Sequence, residues 1–236
     1  MREFMLDGRL SSAAKFVRQG AVFADVGTDH AHLPIFLLKA GVISRAVCSD
    51  INQGPLDKAR ENARGAGLLS KIEFYLTDGA EALSGCGVSD VGICGMGGEL
   101  IARIVEDAKW LHSSAIRLIL QPMTRVAHLR RALASLGFLI NAESYSESDG
   151  KRYVCLCASY DGKTRDISDV EAEIGEFYSD YDNNNLQIDY LEAKKRAFLK
   201  IAEGKKLGGA SADFEEKLIL AIDARINAIK GKEALL

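Results

Sequence analysis

The sequence predicts an α/β fold: a doubly wound, mostly parallel sheet with an appended helical hairpin. Short apolar runs alternate with helical patterns up to about residue 160, the succession that builds a parallel sheet covered by helices. The last two runs flank Asp149-Gly150, a two-residue hairpin signal that sets one strand against the others. Beyond Asp161-Gly162-Lys163-Thr164-Arg165 the strands stop and helical stripes take over. The expected division is 1–160 for the sheet and 161–236 for the hairpin.

Taken in order, Leu10–Val17 reads as a short amphipathic helix leading into a first strand, Ala21–Asp25. A crossover helix, Ile35–Ala40, ends at Gly41, and Arg45–Asp50 is the second strand. Pro55 has the fixed φ that suits a first helical position, so it opens the helix Leu56–Ala66, which Gly67 stops. Ile72–Leu76 and Val88–Cys94 are the third and fourth strands. The helix Glu99–Ala108, a fifth strand Ile116–Gln121 and the helix Val126–Ser135, closed by Gly137, follow. Phe138–Ser144 and Arg152–Tyr160 then form an antiparallel pair around a turn at Glu147-Ser148-Asp149-Gly150. Several βα units ending in one reversed strand give a Rossmann-like sheet.

In the tail, Ser168 with Glu171 three residues on is a capping box. Ile174, Phe177, Tyr178 and Tyr181 begin an apolar stripe that Leu191, Phe198 and Ile201 prolong beyond Asn183-Asn184-Asn185. Gly204–Gly209 reads as a turn, and a second helix from Asp213 carries Phe214, Leu218, Ala221, Ile222, Ile226 and Ile229 on one side. The two stripes are expected to face each other as a small antiparallel coiled coil.

With 236 residues, 47% of them hydrophobic and 27% charged, the chain has room for one large domain and a small one. No apolar run reaches the roughly 18 residues needed to span a bilayer, and Met1–Asp7 carries early charges and no signal-peptide core. The five cysteines are scattered and form no CxxC pair, which argues against a zinc ribbon or a redox dithiol and for a reducing cytoplasm. A net charge of −3 permits nucleic-acid binding only where positive charge gathers on one face.

The segment Ala24-Asp25-Val26-Gly27-Thr28-Asp29-His30-Ala31-His32-Leu33-Pro34 lies at a strand-to-helix turn, the place where nucleotide-type cofactors dock in such sheets. A dinucleotide loop would carry glycine where Asp29 stands, because the backbone must approach a pyrophosphate. Asp25 and Asp29 would repel that group but suit a sulfonium and an ammonium. The turn therefore points to S-adenosylmethionine, with Asp25, Gly27, Thr28 and His30 among the cofactor contacts. At the second strand's end, Asp50, followed by Ile51, is placed to accept from a ribose diol. Asp78-Gly79 after the third strand can accept from an adenine amino group, and Gly95-Met96-Gly97-Gly98 after the fourth lets a flat ligand come close to the backbone. Asp29-His30-Ala31-His32 offers too few ligands for a metal, and none is expected.

Taken together, Arg9-Leu10, the Asp25–Pro34 turn, Asn52-Gln53-Gly54-Pro55, Gly95-Met96-Gly97-Gly98-Glu99-Leu100-Ile101 and Leu118-Ile119-Leu120-Gln121-Pro122 resemble the TrmK family of bacterial tRNA methyltransferases. The resemblance spans roughly residues 5–160 and implies a class I methyltransferase sheet, a C-terminal coiled coil and methylation of N1 of adenosine-22 in tRNA. Two positions depart from the family: Ser49-Asp50-Ile51 replaces an acid-containing Gly-Glu-Val, and Met123 stands where the family has Asn after Gln-Pro. The resemblance implies that Arg9, Gln121 and Pro122 meet the substrate. Asp29 is expected either to stabilise the positive charge that develops on the base or to bind the cofactor's ammonium.

Basic residues group as Arg2, Arg9, Lys15 and Arg18, as Arg125, Arg130 and Arg131, and as Lys194, Lys195, Arg196, Lys200, Lys205 and Lys206 near the hairpin turn. The last group, Lys194, Lys195 and Arg196 above all, is expected to hold tRNA phosphates. A monomer is expected. The competing readings are a methyltransferase for another RNA site, a small molecule or a protein, and a noncatalytic RNA-binding module.

Overall fold

A computed structural model of the chain describes residues 5–176 and 184–233. Its strands are β1 (Ala21–Val26), β2 (Ile43–Asp50), β3 (Ile72–Leu76), β4 (Asp90–Gly97), β5 (Arg117–Thr124), β6 (Phe138–Ser148) and β7 (Lys151–Tyr160). They form one sheet in the order β3-β2-β1-β4-β5-β7-β6. Pairing is parallel from β3 through β5, and β7 runs antiparallel to both of its neighbours. The single reversed strand follows from Asp149 (φ 51°) and Gly150 (φ 72°), a two-residue loop with both residues left-handed. The turn is tighter than the four residues expected, and the strands run further on each side of it.

The helices are α1 (Gly8–Ala14), α2 (His32–Lys39), α3 (Gln53–Gly65), α4 (Gly98–Asp107), α5 (Val126–Ser135), α6 (Asp169–Ile174), α7 (Asn184–Leu207) and α8 (Asp213–Glu233). Residues of α1, α2 and α3 share one apolar core with one face of the sheet. Residues of α4, α5, α7 and α8 share the other core with the opposite face. The sheet is the middle of three layers.

Several boundaries move for local reasons. α1 starts two residues early because Asp7 caps it, accepting from Leu10 N at 2.9 Å. Pro55 is the third residue of α3, which it tolerates because amides of the first turn have no partner within the helix. β4 continues through the glycines to Gly97 by pairing with β5.

The largest correction concerns the tail. The capping box at Ser168 and Glu171 forms, but the helix stops at Gly175 (φ 73°) after one and a half turns. Phe177, Tyr178, Tyr181 and Asn183 lie outside the described residues, as does Arg2. α7 then runs past the expected turn to Leu207, so the connection falls between Leu207 and Asp213. The two stripes face each other only in part. Tyr190 and Leu191 of α7 and Ile222, Ile226 and Ile229 of α8 join the core of the sheet. Ile201 and Phe214, expected in the seam, are 47% and 41% exposed.

Candidate cofactor and substrate site

Strand order reverses between β1 and β4, and in open α/β sheets the crevice lies there, beyond the carboxyl ends of the strands. At the end of β1, Gly27 (φ 77°) turns the chain, and Gly27 N and Thr28 N both donate to Ser49 O at 2.8 Å. A Cβ at Gly27 would collide with the Met96 methyl group, which lies over the turn.

The two acids of the turn occupy different environments. Asp25 is buried, with the Thr28 hydroxyl donating to its carboxylate at 2.6 Å. Burial pushes its pKa up to about 6, the Asp50 charge adds to the rise, and the Thr28 hydrogen bond opposes it. Asp29 has a side chain 77% exposed at the crevice mouth, 3.2 Å from His30 Nε2. His30 stacks on His32 at 5.1 Å, and burial together with the His30 charge lowers the His32 pKa.

Asp25, Gly27, Thr28, Asp29, His30, Gly95 and Met96 line a cleft of about 420 Å³, together with Asp7, Arg9, Leu10, His32, Leu33 and Cys94. The far wall arises from a bulge in β4: Cys94 pairs with Gln121 and Met96 with Pro122, leaving Gly95 (φ 80°) between them. Gln121 shapes that bulge from beneath, accepting from Gly95 N at 3.2 Å and donating to Pro122 O at 3.0 Å. Gln121 and Pro122 are both buried, and the contacts described for Gln121 support the turn. Polar character alone does not separate a base-reading amide from one that satisfies a backbone.

Arg9 reaches the same wall. Its guanidinium donates to Asp7 Oδ2 at 2.6 Å and to Met123 Sδ at 3.3 Å, and lies 5.7 Å from the centre of the Tyr153 ring. The Met123 sulfur accepts from this arginine. Asp7 was missed in the sequence, although an Asp three residues before Leu10 is a readable cap. Cys94 was also missed, and burial raises its thiol pKa so far that it is a neutral wall.

Asp50, Ile51, Asp78 and Gly79 stand outside this cleft, Asp50 closing β2 and the others just past the ends of β2 and β3. Asp50 accepts from Asn52 N at 2.7 Å. Beside it Ile51 and Leu76 are 60% and 57% exposed, an apolar shelf next to a carboxylate. Acidic groups at one end and an apolar shelf with an acceptor at the other fit a cationic amino-acid tail and a nucleoside. Asp50→Ala is expected to weaken S-adenosylmethionine binding by about 1–3 kcal/mol without lowering the melting temperature of the protein alone. Unchanged affinity by calorimetry would remove Asp50 from the site.

Among the described residues no cluster of three or more His, Cys, Asp or Glu could hold an ion. The basic groups are less available than their sequence spacing implied. Lys194 is bound to Glu173, Lys195 to Asp223, Lys205 to Glu215 and Lys206 to Glu216. Arg18 is bound to Asp90, Arg130 is buried against Glu143, and Arg131 holds Asp169. Arg196 and Lys200 are exposed, and Arg125 is 71% exposed at the start of α5, 3.6 Å from Glu99.

The sheet order, the acidic first turn and the glycine bulge facing it define a Rossmann-like methyltransferase domain, and residues 6–156 match the family described as Methyltransferase domain. Over 169 residues the chain is 36% identical to a Bacillus subtilis (strain 168) tRNA (adenine(22)-N(1))-methyltransferase, covering 69% of this chain and 71% of that one. The crystal structure of B. subtilis TrmK aligns with a TM-score of 0.75 at 28% identity, over 97% of this chain and 99% of its own. M. capricolum TrmK, solved in complex with S-adenosyl-homocysteine, gives 0.71 at 30% identity over 97% of each chain. The chain belongs to the TrmK family of tRNA (adenine(22)-N(1))-methyltransferases.

Proposed function

We propose that this protein transfers the methyl group of S-adenosylmethionine to N1 of adenosine-22 in tRNA. The observation that carries the reading is the cleft itself, where the acidic first turn faces a glycine bulge and an arginine held at its rim. When bound, the cofactor supplies an electrophilic methyl on a sulfonium. Asp25 places negative charge beside its cationic groups, and Asp50 accepts from its ribose. The Ile51–Leu76 shelf takes the adenine ring, with Asp78 at its amino edge. On the opposite side, Gly95 and Gly97 present backbone without side chains, so a planar base can lie close to the sheet edge.

The N1 lone pair forms the new C–N bond while the C–S electron pair stays on sulfur, so no proton need leave for the bond to form. The chain's task is alignment, together with a carboxylate near the ring as it becomes cationic. Asp29 is exposed at the mouth and is assigned that place. In Asp29→Asn, turnover with saturating cofactor and tRNA is expected to fall at least tenfold, the scale of a missing charge-assisted hydrogen bond, with melting temperature unchanged. Wild-type turnover would leave Asp29 no part in the chemistry, and loss of cofactor affinity alone would move it to the ammonium.

Residues 1–160 are assigned the chemistry and 161–236 the grip on tRNA. Arg9 serves a phosphate or base of the target nucleotide, and Arg125, Arg196 and Lys200 serve the backbone. Lys194 and Lys195, already paired, are poorer candidates than the sequence suggested. The variant Arg196→Glu/Lys200→Glu is expected to flatten the log–log salt dependence of tRNA binding by about 0.7–0.9 for each phosphate no longer neutralised. A wild-type slope would leave the hairpin as a packing element. The reading extends to a monomer in the cytoplasm, the compartment to which five free cysteines are suited; no helix among the described residues is long and apolar enough to cross a membrane. Incubating the protein with unmodified tRNA and methyl-labelled cofactor, then mapping the labelled nucleoside, tests the whole reading. Label at any position but N1 of adenosine-22 would overturn it.

A further inference from the structure

A closed ring of buried and half-buried contacts joins the sheet to the hairpin, away from the cleft. It starts on β6, where the Glu143 carboxylate accepts from Arg130 Nε and Nη2 of α5 at 2.8 and 3.0 Å. Arg130 Nη1 donates onward to Ala172 O and Glu173 O, carbonyls at the end of α6, at 2.8 and 3.2 Å. Lys194 of α7 binds the same Glu173 twice, at its backbone oxygen (2.6 Å) and its carboxylate (2.9 Å). The Lys194 ammonium lies 5.9 Å from the centre of the Tyr190 ring, which packs on Tyr145 at 5.1 Å. Tyr145 closes the ring by donating to Glu143 at 2.8 Å.

Two features show that this is a built arrangement. Arg130 and Glu143 are each 1% exposed, so the pair is fully desolvated and depends on every partner it has. Gly175, with φ at 73°, lies directly on the Glu143 carboxylate, where any Cβ would collide with it. The ring also has an address. Arg130 sits in the second turn of α5, the helix that begins at the crevice edge immediately after β5.

We infer that this ring, with Lys194 as its link to α7, sets the angle at which the hairpin presents itself to a tRNA held over the crevice. Arg130, Glu143, Glu173 and Lys194 are positioning residues, and Lys194 acts by holding α6 rather than by touching a phosphate. The inference rests on the tRNA-binding role proposed above for the hairpin.

The test uses the full-length protein with unmodified tRNA transcript. Lys194→Gln removes the link, and Glu173→Lys breaks it by repulsion while adding positive charge. Both variants are expected to raise KM for tRNA about tenfold, with kcat and cofactor affinity unchanged. Both should also speed amide hydrogen exchange in α6 and the first half of α7, and Lys194→Arg should restore wild-type values. A phosphate-contacting Lys194 predicts the opposite for Glu173→Lys, which would bind tRNA more tightly, and that result overturns the inference. So does a wild-type KM in Lys194→Gln, a variant mild enough to fold. Exchange is read without substrate, so the two readings fail separately. Wild-type protein that transfers no methyl group to tRNA overturns the proposed function, whereas unchanged exchange in Lys194→Gln overturns the ring.

Discussion

Asp25→Asn will bind S-adenosylmethionine more weakly than wild type and yet melt at a higher temperature above pH 7. The Asp25 carboxyl has its pKa raised from 3.8 to about 6, chiefly by burial. Below the unfolded-state value the group is protonated in both states, and its burial carries no charge penalty. As pH rises through about 6 the folded protein ionises a buried carboxylate, and the stability present at acid pH is lost. At about 1.4 kcal/mol per unit the loss is on the order of 3 kcal/mol. Asparagine keeps an acceptor for the Thr28 hydroxyl and removes the charge, so the gain in melting temperature should be several degrees at pH 8 and absent near pH 3.5. A cationic ligand beside Asp25 favours its ionised form, so wild-type affinity should climb between pH 5 and pH 7 while that of the variant stays flat. Parallel pH profiles for the two proteins, in melting and in calorimetric binding, would show that Asp25 neither titrates there nor meets the cofactor's charge.

Arg130→Met will cost about 3–5 kcal/mol in urea unfolding, the largest loss expected from any single charged side chain here. The loss comes from what is left behind: a Glu143 carboxylate with 1% exposure and no cation, and an Ala172 carbonyl deprived of the Arg130 donor. The double variant Arg130→Met/Glu143→Gln should recover more than half of it, because glutamine still accepts from Tyr145 and carries no charge. A single variant destabilised by less than 1 kcal/mol, or a double variant no better than the single, would show that the pair is not desolvated in solution.

The elements legible in the sequence were those specified locally. Alternating apolar runs marked the strands, Asp149-Gly150 marked the reversed one, and Ser168 with Glu171 marked a helix start that forms with both capping bonds. The first turn was legible because charge on a glycine-poor loop restricts what can bind there. What could not be read was pairing across distance. Lys194 and Lys195 looked like a free basic cluster, but their partners Glu173 and Asp223 are 21 and 28 residues away on other helices. Nor does the position of Gln121 in the chain reveal the Gly95 amide it serves, 26 residues away. The stop at Gly175 was present as a glycine but overridden by an apolar period running through Ile174. Period identifies a face and does not guarantee that the helix continues.

The mixed core beneath the hairpin has a consequence for how this enzyme can change over time. Tyr190, Leu191, Ile222, Ile226 and Ile229 lie among the side chains of the sheet, so a chain cut near Tyr160 would uncover apolar surface and lose stability along with any hold on RNA that the hairpin has. The tail is therefore not a handle that can be swapped for one fitting another RNA. On the tRNA-binding role proposed for the hairpin, adaptation to new tRNA shapes would be confined to the outer half of α7 and the start of α8, where Leu199, Lys200, Ile201 and Phe214 are exposed. The base of the hairpin is held to whatever the sheet requires, and substitutions there pass through a stability filter before they can alter recognition.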